Sequence, residues 1–265
     1  MPESVIRSIS GLVYMGLLIS SILYSSTSYK ILFLFFMILA SYEFSKMIAI
    51  SKTHALLLST LVAGIYLLFP TINFAGWLIC IPFLVYLSYK LFAQKTYTYK
   101  TMGKKLMYQI GYINLPFLCI LQLPYFENQY QPKLVLGFFI LIWCNDTFAY
   151  ICGKLLGKHK LFPSISPKKT IEGFVGGVLF AIIAAVLINS YFNEVSYLFW
   201  VLVAILVGSF GTVGDLVESK FKRQAEIKDS GKIIPGHGGI LDRLDSFIFV
   251  APFLLLIYNL ILYVS

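Results

Sequence analysis

The amino-acid sequence predicts an all-α polytopic membrane protein with about nine transmembrane helices, and three observations carry that prediction. Of 265 residues, 58% are hydrophobic and only 12% charged, with a mean hydropathy of +0.82, which is far too apolar for an ordinary soluble domain. A membrane-spanning helix needs about 20 mainly apolar residues to cross a hydrocarbon core of about 30 Å. The chain holds nine candidate runs of that kind, without the alternating pattern of a transmembrane barrel. The third observation is where the positive charges fall between the runs.

In order, the runs lie at 5–24, 29–50, 54–70, 72–92, 106–126, 134–153, 173–193, 197–215 and 247–264. The first has a single early arginine, Arg7, and no A-x-A-like cleavage site comes after it, so it reads as a retained signal anchor. The third and ninth are short for a span. The sixth carries Asp146 inside its apolar run and the seventh opens on glycines. The eighth ends in a polar stretch, and another precedes the ninth. With a cytoplasmic N-terminus, this arrangement places 19 of the 21 basic residues in inner loops and leaves only Lys30 and Lys133 outside. Lysine and arginine are retained on the cytoplasmic side during insertion, so the division supports both the number of spans and their direction. The expected location is the inner (cytoplasmic) membrane, with the polar stretches on its cytoplasmic side.

The four cysteines, Cys80, Cys119, Cys144 and Cys152, lie in or at the end of apolar segments with no C-x-x-C pair, and read as small packing residues. Residues 1–265 read as one integral membrane domain whose length is used unevenly. Three of the twelve acids, Glu3, Glu43 and Glu127, lie in the first 130 residues, and the other nine lie between Asp146 and Asp245. Residues 1–130 are therefore expected to be mainly scaffold spans and 134–265 the catalytic half, with a polar active site at the cytoplasmic ends of its helices.

Three stretches of that half carry chemistry. In the first, 145–177, an ionised Asp146 inside an apolar run would cost about 2.5–3.5 kcal/mol and needs a partner, a cation or a water-filled cavity. Lys154, Lys158, His159, Lys160, Lys168 and Lys169 follow, then Thr170 and Glu172 at a helix start. Ammonium groups beside free helix N–H groups suit a phosphate-bearing ligand; the same lysines also serve as topology signals or as contacts for anionic lipid. The second stretch is "GDLVESKFKR", 214–223, where Asp215, Glu218, Ser219 and Lys222 share one face if the helix continues past the membrane surface. The third is "IKDSGKIIPGHGGILDRLDSF", 227–247. "PGHGG" predicts a tight turn with close backbone approach, and Asp242, Asp245 and Ser246 then share a helix face with Arg243 beside them.

Carboxylates facing each other from the eighth and ninth helices suit a hard divalent cation, Mg²⁺ above all, which binds one or two carboxylates together with substrate phosphates. Zinc is disfavoured by only three histidines and no cysteine pair. Basic side chains around such a cation describe phosphoryl or nucleotidyl transfer, in which positioning and charge neutralisation do most of the work.

The run Ser219, Lys222, Arg223, Lys228, Asp229, His237, Gly238, Gly239, Asp242, Arg243 and Asp245, eleven positions within 27 residues, resembles in identity and spacing the signature of the phosphatidate cytidylyltransferase (CDP-diacylglycerol synthase) family. "GKHKLFPSISPKKTIEGFVGG" is similar to a second block of that family, and the likeness runs from about 140 to 247. What the resemblance implies is transfer from CTP to phosphatidate, giving CDP-diacylglycerol and pyrophosphate without a covalent enzyme intermediate. It also implies Mg²⁺, with K⁺ as a companion cation, a membrane-lipid substrate rather than nucleic acid, and a homodimer. Mapped by motif, Asp215 and Asp242 are the first choices for metal ligands, with Asp146 and Glu218 as further candidates.

The remaining roles follow from charge. Lys222, Arg223, Lys228, Lys168 and Arg243 are expected to neutralise phosphates, while Asp229 and Asp245 order the loop or hold a second cation. His237 either positions a phosphate or braces the turn. Lys169, Thr170, Glu172, Ser219, Gly238, Gly239 and Ser246 complete the expected substrate site. The runner-up is a CTP-dependent lipid kinase, separated by its products, or a cytidylyltransferase acting on another lipid phosphate; a transporter has no need of the 227–247 loop, a scaffold would tolerate its loss, and a phosphatidyltransferase would require an Asp-Gly pair that does not occur.

Overall fold

A computed structural model describes residues 3–69, 78–126, 129–192 and 195–264. Helix α1 (Glu3–Tyr24) gives way to α2 (Ser26–Met47) at Ser25. There the Ser25 hydroxyl accepts from Ser28 N at 3.0 Å and the Ser28 hydroxyl accepts from Ser25 N at 3.1 Å. This reciprocal cap satisfies the first amides of α2 without a longer connection. Next come α3 (Lys52–Leu68) and α4 (Cys80–Phe92); the opening of the predicted run 72–92 lies outside the described residues as far as 77. Helix α5 covers 102–122, with a wide π-type turn at Ile110–Asn114. The C-terminal half contributes α6 (Pro132–Leu156), α7 (Ile171–Phe192), α8 (Tyr197–Gln224) with a second wide turn at Val207–Gly211, and α9 (Leu241–Val264).

Nine helical rods among the described residues thus follow the nine apolar runs in order. Five of them, α1, α2, α6, α7 and α8, are long and apolar enough to cross a membrane. Two rods extend furthest beyond their apolar runs. Helix α8 continues nine residues past 215, to Gln224, and α9 begins at Leu241, six residues before 247. Acids in the first turn of α9 and bases in the last turn of α8 both suit the helix dipole, so polar sequence stays helical where hydropathy alone would end it.

The chain is mostly helical but not wholly α. Two small antiparallel ladders join β1 (Tyr125–Phe126) to β2 (Gln129–Tyr130), and β3 (Lys160–Phe162) to β4 (Ser166–Thr170). In the second, the proline-bounded turn of "LFPSISPKKT" brings Phe162 opposite Ser166 and Lys160 opposite Thr170, because Pro163 and Pro167 favour extended or turn backbone over helix. The predicted basic loop is therefore a hairpin with a fixed direction.

Helices α6 and α7 pack through small residues. A Cβ on Gly173 would lie 2.6 Å from Ala149 O, and one on Gly176 would lie 2.5 Å from Cys152 Sγ. Phe148 and Phe180 stack at 3.8 Å beside this seam. Such close backbone approach suits helices whose outer faces meet hydrocarbon rather than water. Phe221 of α8 sits among Phe44, Tyr97, Tyr108 and Tyr112, and Phe247 of α9 meets Phe33 and Phe139. These aromatic clusters pack the C-terminal half onto α2 and α5. Lys220 donates to Lys90 O and Lys95 O, at 2.6 and 2.7 Å, and so closes the C-terminal end of α4 rather than entering the site.

Candidate active site

The end of α6, the β3–β4 hairpin, the start of α7, the middle of α8 and the start of α9 enclose one polar cavity of about 560 Å³. Asp146, Asp215, Asp242 and Asp245 line it together with Lys168, Lys169, Thr170, Arg243 and Ser246. Residues separated by almost one hundred positions in sequence meet here because α6 and α7 are held together by glycine and α9 lies against α8.

Each acid has a different environment. Asp215, one turn beyond the wide turn of α8, accepts from Ser219 Oγ at 3.1 Å through Oδ1 and pairs with Lys169 Nζ at 2.6 Å through Oδ2. A π-type turn rotates the residues that follow it relative to those before; here it precedes the helical segment carrying Asp215. Asp146 has one weak contact in the described set, from Asn145 Nδ2 at 3.3 Å, and otherwise opens to the cavity. Asp245 Oδ1 accepts from Ser246 N at 2.7 Å.

Asp242 is more heavily engaged. Its Oδ2 accepts from Ser230 N, Ser230 Oγ and Gly239 N at 2.8, 2.8 and 2.7 Å, and its Oδ1 accepts from Lys222 Nζ at 2.8 Å. Lys222 also reaches Glu218 Oε2 at 3.0 Å. Glu218 is fully buried and its Oε1 receives no donor. The predicted stripe Asp215, Glu218, Ser219, Lys222 is thus internally paired, at Ser219–Asp215 and at Lys222–Glu218.

The turn 235–239 is as tight as its glycines imply. Gly236 and Gly238 have φ of +74° and +87°, a region open to glycine and strained for other residues. A Cβ on Gly238 would lie 2.5 Å from Asp242 Oδ2. Gly238→Ala is therefore expected to destabilise the loop by about 1–3 kcal/mol and to lower activity, as measured by thermal unfolding in detergent and by turnover per folded molecule.

His237 takes part in the brace. Its Nδ1 lies 2.9 Å from Ser10 Oγ, and its carbonyl accepts from Arg243 Nε and Nη2 at 3.2 and 2.9 Å. Burial, then the nearby guanidinium groups of Arg243 and Arg7, hold the imidazole below its ordinary range, which favours its neutral form. His237 also lines a smaller cavity of about 220 Å³ that shares Asp146, Asp242, Arg243, Asp245 and Ser246 with the first.

Other predicted residues stand outside the main cavity lining. Arg223 is exposed and donates to Ile227 O at 3.2 Å; Lys228 and Asp229 are exposed on the loop. Glu172 accepts from Lys158 N and His159 N and lies 2.7 Å from His159 Nδ1, holding the approach to the hairpin. Thr170 lines the cavity while its Oγ1 accepts from Gly173 N at 3.1 Å, capping α7.

Sequence reasoning passed over Ser230, which is 2% exposed and donates to Asp242, and Glu43, which is fully buried against the same loop. For Glu43 the signal was available: an acid inside an apolar run is costly wherever it occurs, and that criterion singled out Asp146.

The donor set suits a hard cation, since four aspartates face one cavity and no histidine or cysteine is among them. Among the described residues no group of three or more acids, histidines and cysteines converges into a complete cage. Mg²⁺ meets this arrangement well, because it keeps water and takes phosphate oxygens alongside one or two carboxylates.

Fold and site together define a helical membrane protein with an acid-and-base cavity at the ends of its C-terminal helices. The chain belongs to the cytidylyltransferase family, whose model matches residues 5–261. It is 44% identical over 180 residues to a phosphatidate cytidylyltransferase of Staphylococcus epidermidis, and 43% identical over 179 and 180 residues to proteins of the same name from Staphylococcus saprophyticus and Staphylococcus aureus. In each case the match covers 67% of this chain and 66% of the relative, just under two thirds of the relatives' own length.

Proposed function

We propose that the protein transfers a cytidylyl group from CTP to phosphatidate, forming CDP-diacylglycerol and releasing pyrophosphate. The observation that carries this reading is the convergence of four aspartates with Lys168, Lys169 and Arg243 on one cavity, in a chain of the cytidylyltransferase family. A phosphate oxygen of the lipid attacks the α-phosphorus of CTP; that P–O bond forms as the bond to pyrophosphate breaks. Lys168, Lys169 and Arg243 neutralise phosphate charge as it shifts to the leaving group, with Arg223 and Lys228 drawing the nucleotide in from outside. Asp215 and Asp146 have carboxyl oxygens facing the cavity and would hold Mg²⁺, with Asp245 beside K⁺, while Glu218, buried against Lys222, lies outside the cavity lining. Bound there, the divalent ion would supply neutralisation between phosphates.

An apolar groove of about 440 Å³ between α1 and the 233–240 loop favours a lipid substrate. It shares Tyr14 and Ile234 with the small cavity at His237 and Arg243, so an acyl chain and its phosphate have adjoining places. The reading includes nine spans with the N-terminus and the site on the cytoplasmic face of the cytoplasmic membrane, supported by the distribution of basic residues, and a homodimer. The +9 formal charge favours both anionic substrates.

Purified protein given labelled CTP, phosphatidate and Mg²⁺ is expected to yield CDP-diacylglycerol and pyrophosphate in equal amounts, and none after chelation. CDP with a phosphorylated lipid would instead identify a CTP-dependent lipid kinase.

A further inference from the structure

We propose that Glu43, on a helix of the N-terminal half, is a positioning residue for the transfer reaction, acting through the 230–241 loop; the role rests on the reaction proposed above. Glu43 is fully buried, yet its carboxyl group is surrounded by donors from the far end of the chain. Oε1 accepts from Ile240 N at 3.2 Å, and Oε2 accepts from Leu241 N at 2.9 Å and lies 3.2 Å from Ser230 Oγ. The amides of 240 and 241 belong to the start of α9, where the first N–H groups of a helix have no partner of their own. A carboxylate from α2 thus caps α9 across nearly two hundred residues, and the dipole of α9 favours its charge.

The loop is shaped to receive that side chain. A Cβ on Gly231 would lie 2.3 Å from Glu43 Oε1, and one on Gly239 would lie 2.4 Å from both carboxyl oxygens. Ser230 links Glu43 to the site, because its hydroxyl also lies 2.8 Å from Asp242 Oδ2. Its single proton serves one carboxylate at a time, so the two acids are held as a connected pair. Fixing 240 and 241 sets the depth and rotation of the first turn of α9, and with them Asp242, Arg243 and Asp245. Glu43 touches none of the cavity itself. An error of about 1 Å in placing reacting groups costs about 10²-fold in rate.

Kinetics and hydrogen exchange on the purified full chain test the role. Glu43→Gln keeps the shape but turns an NH₂ group toward N–H donors; kcat is expected to fall about 10²-fold, with the KM for CTP little changed and exchange at 239–241 raised. Gly231→Ala is expected to reproduce that split from the loop side, and carries the test if Glu43→Gln does not accumulate. Glu43→Ala with Gly231→Ala is expected to be no worse than Glu43→Ala alone, because the added methyl then has room. A kcat per folded molecule within about two-fold of wild type in both single variants, against the loss expected from misplacement, would overturn the role. Unchanged exchange at 239–241 would overturn it whatever the reaction. Wild type that makes no CDP-diacylglycerol would sink the reaction alone, and raised exchange in Glu43→Gln would then support the role for whichever reaction the cavity performs.

Discussion

Asp215→Asn is expected to lower turnover by at least about 10²-fold, the scale on which removing one preorganised electrostatic group acts, while the protein still inserts and accumulates. The reason lies in its contacts. Asp215 is tied to the protein by one hydroxyl and one ammonium, Ser219 and Lys169, and its remaining capacity faces the cavity. Asparagine keeps the Ser219 bond and the side-chain volume, so folding is preserved and the lost charge is what is measured. Asp242→Asn is expected to abolish turnover too, by a different route. Four donors converge on Asp242, and an amide NH₂ must face at least one of them, so the 230–239 loop loosens. Limited proteolysis distinguishes the two: loop cleavage is expected to rise in Asp242→Asn and to stay at wild-type level in Asp215→Asn. Substantial activity in Asp215→Asn would remove that residue from the reacting centre.

This contrast marks how far the sequence could be read. The resemblance implied one role, metal ligand, for both Asp215 and Asp242; spacing reports which residues share a helix face but not how many donors a loop will fold onto each. The order of the helices was legible among the described residues, since each rod overlaps an apolar run recognisable from hydropathy. The ends of α8 and α9 were not, because Lys222, Arg223 and Asp242 interrupt the apolar pattern while remaining good helix-terminal residues. The β3–β4 hairpin was missed for a related reason: five residues with two prolines nearby leave no periodicity to detect. The division into scaffold and catalytic halves was the largest simplification. Phe33 and Phe44 of α2 pack on α8 and α9, and Glu43 beside Phe44 reaches into the loop, so the first half shapes the site it was expected only to support.

Lys222→Met is expected to be the most destabilising single change at the site, by about 3–5 kcal/mol, the cost of leaving a buried charge without its partner. Lys222 Nζ bridges Glu218 and Asp242 at 3.0 and 2.8 Å, with side-chain exposures of 11%, 0% and 8%. Methionine fills similar volume, so packing is nearly retained and the effect is electrostatic: two buried carboxyl groups lose their shared cation. The same contacts predict a partial remedy. Glu218→Gln in the Lys222→Met background replaces one of the two stranded carboxyl groups by an amide that cannot ionise and is expected to recover part of the melting temperature, measured by fluorescence-detected unfolding in detergent. Turnover is expected to remain low in the double variant, since Asp242 still lacks its Oδ1 donor and the first turn of α9 is no longer tied to α8. Recovery of activity together with stability would overturn that expectation and make the bridge a purely structural one.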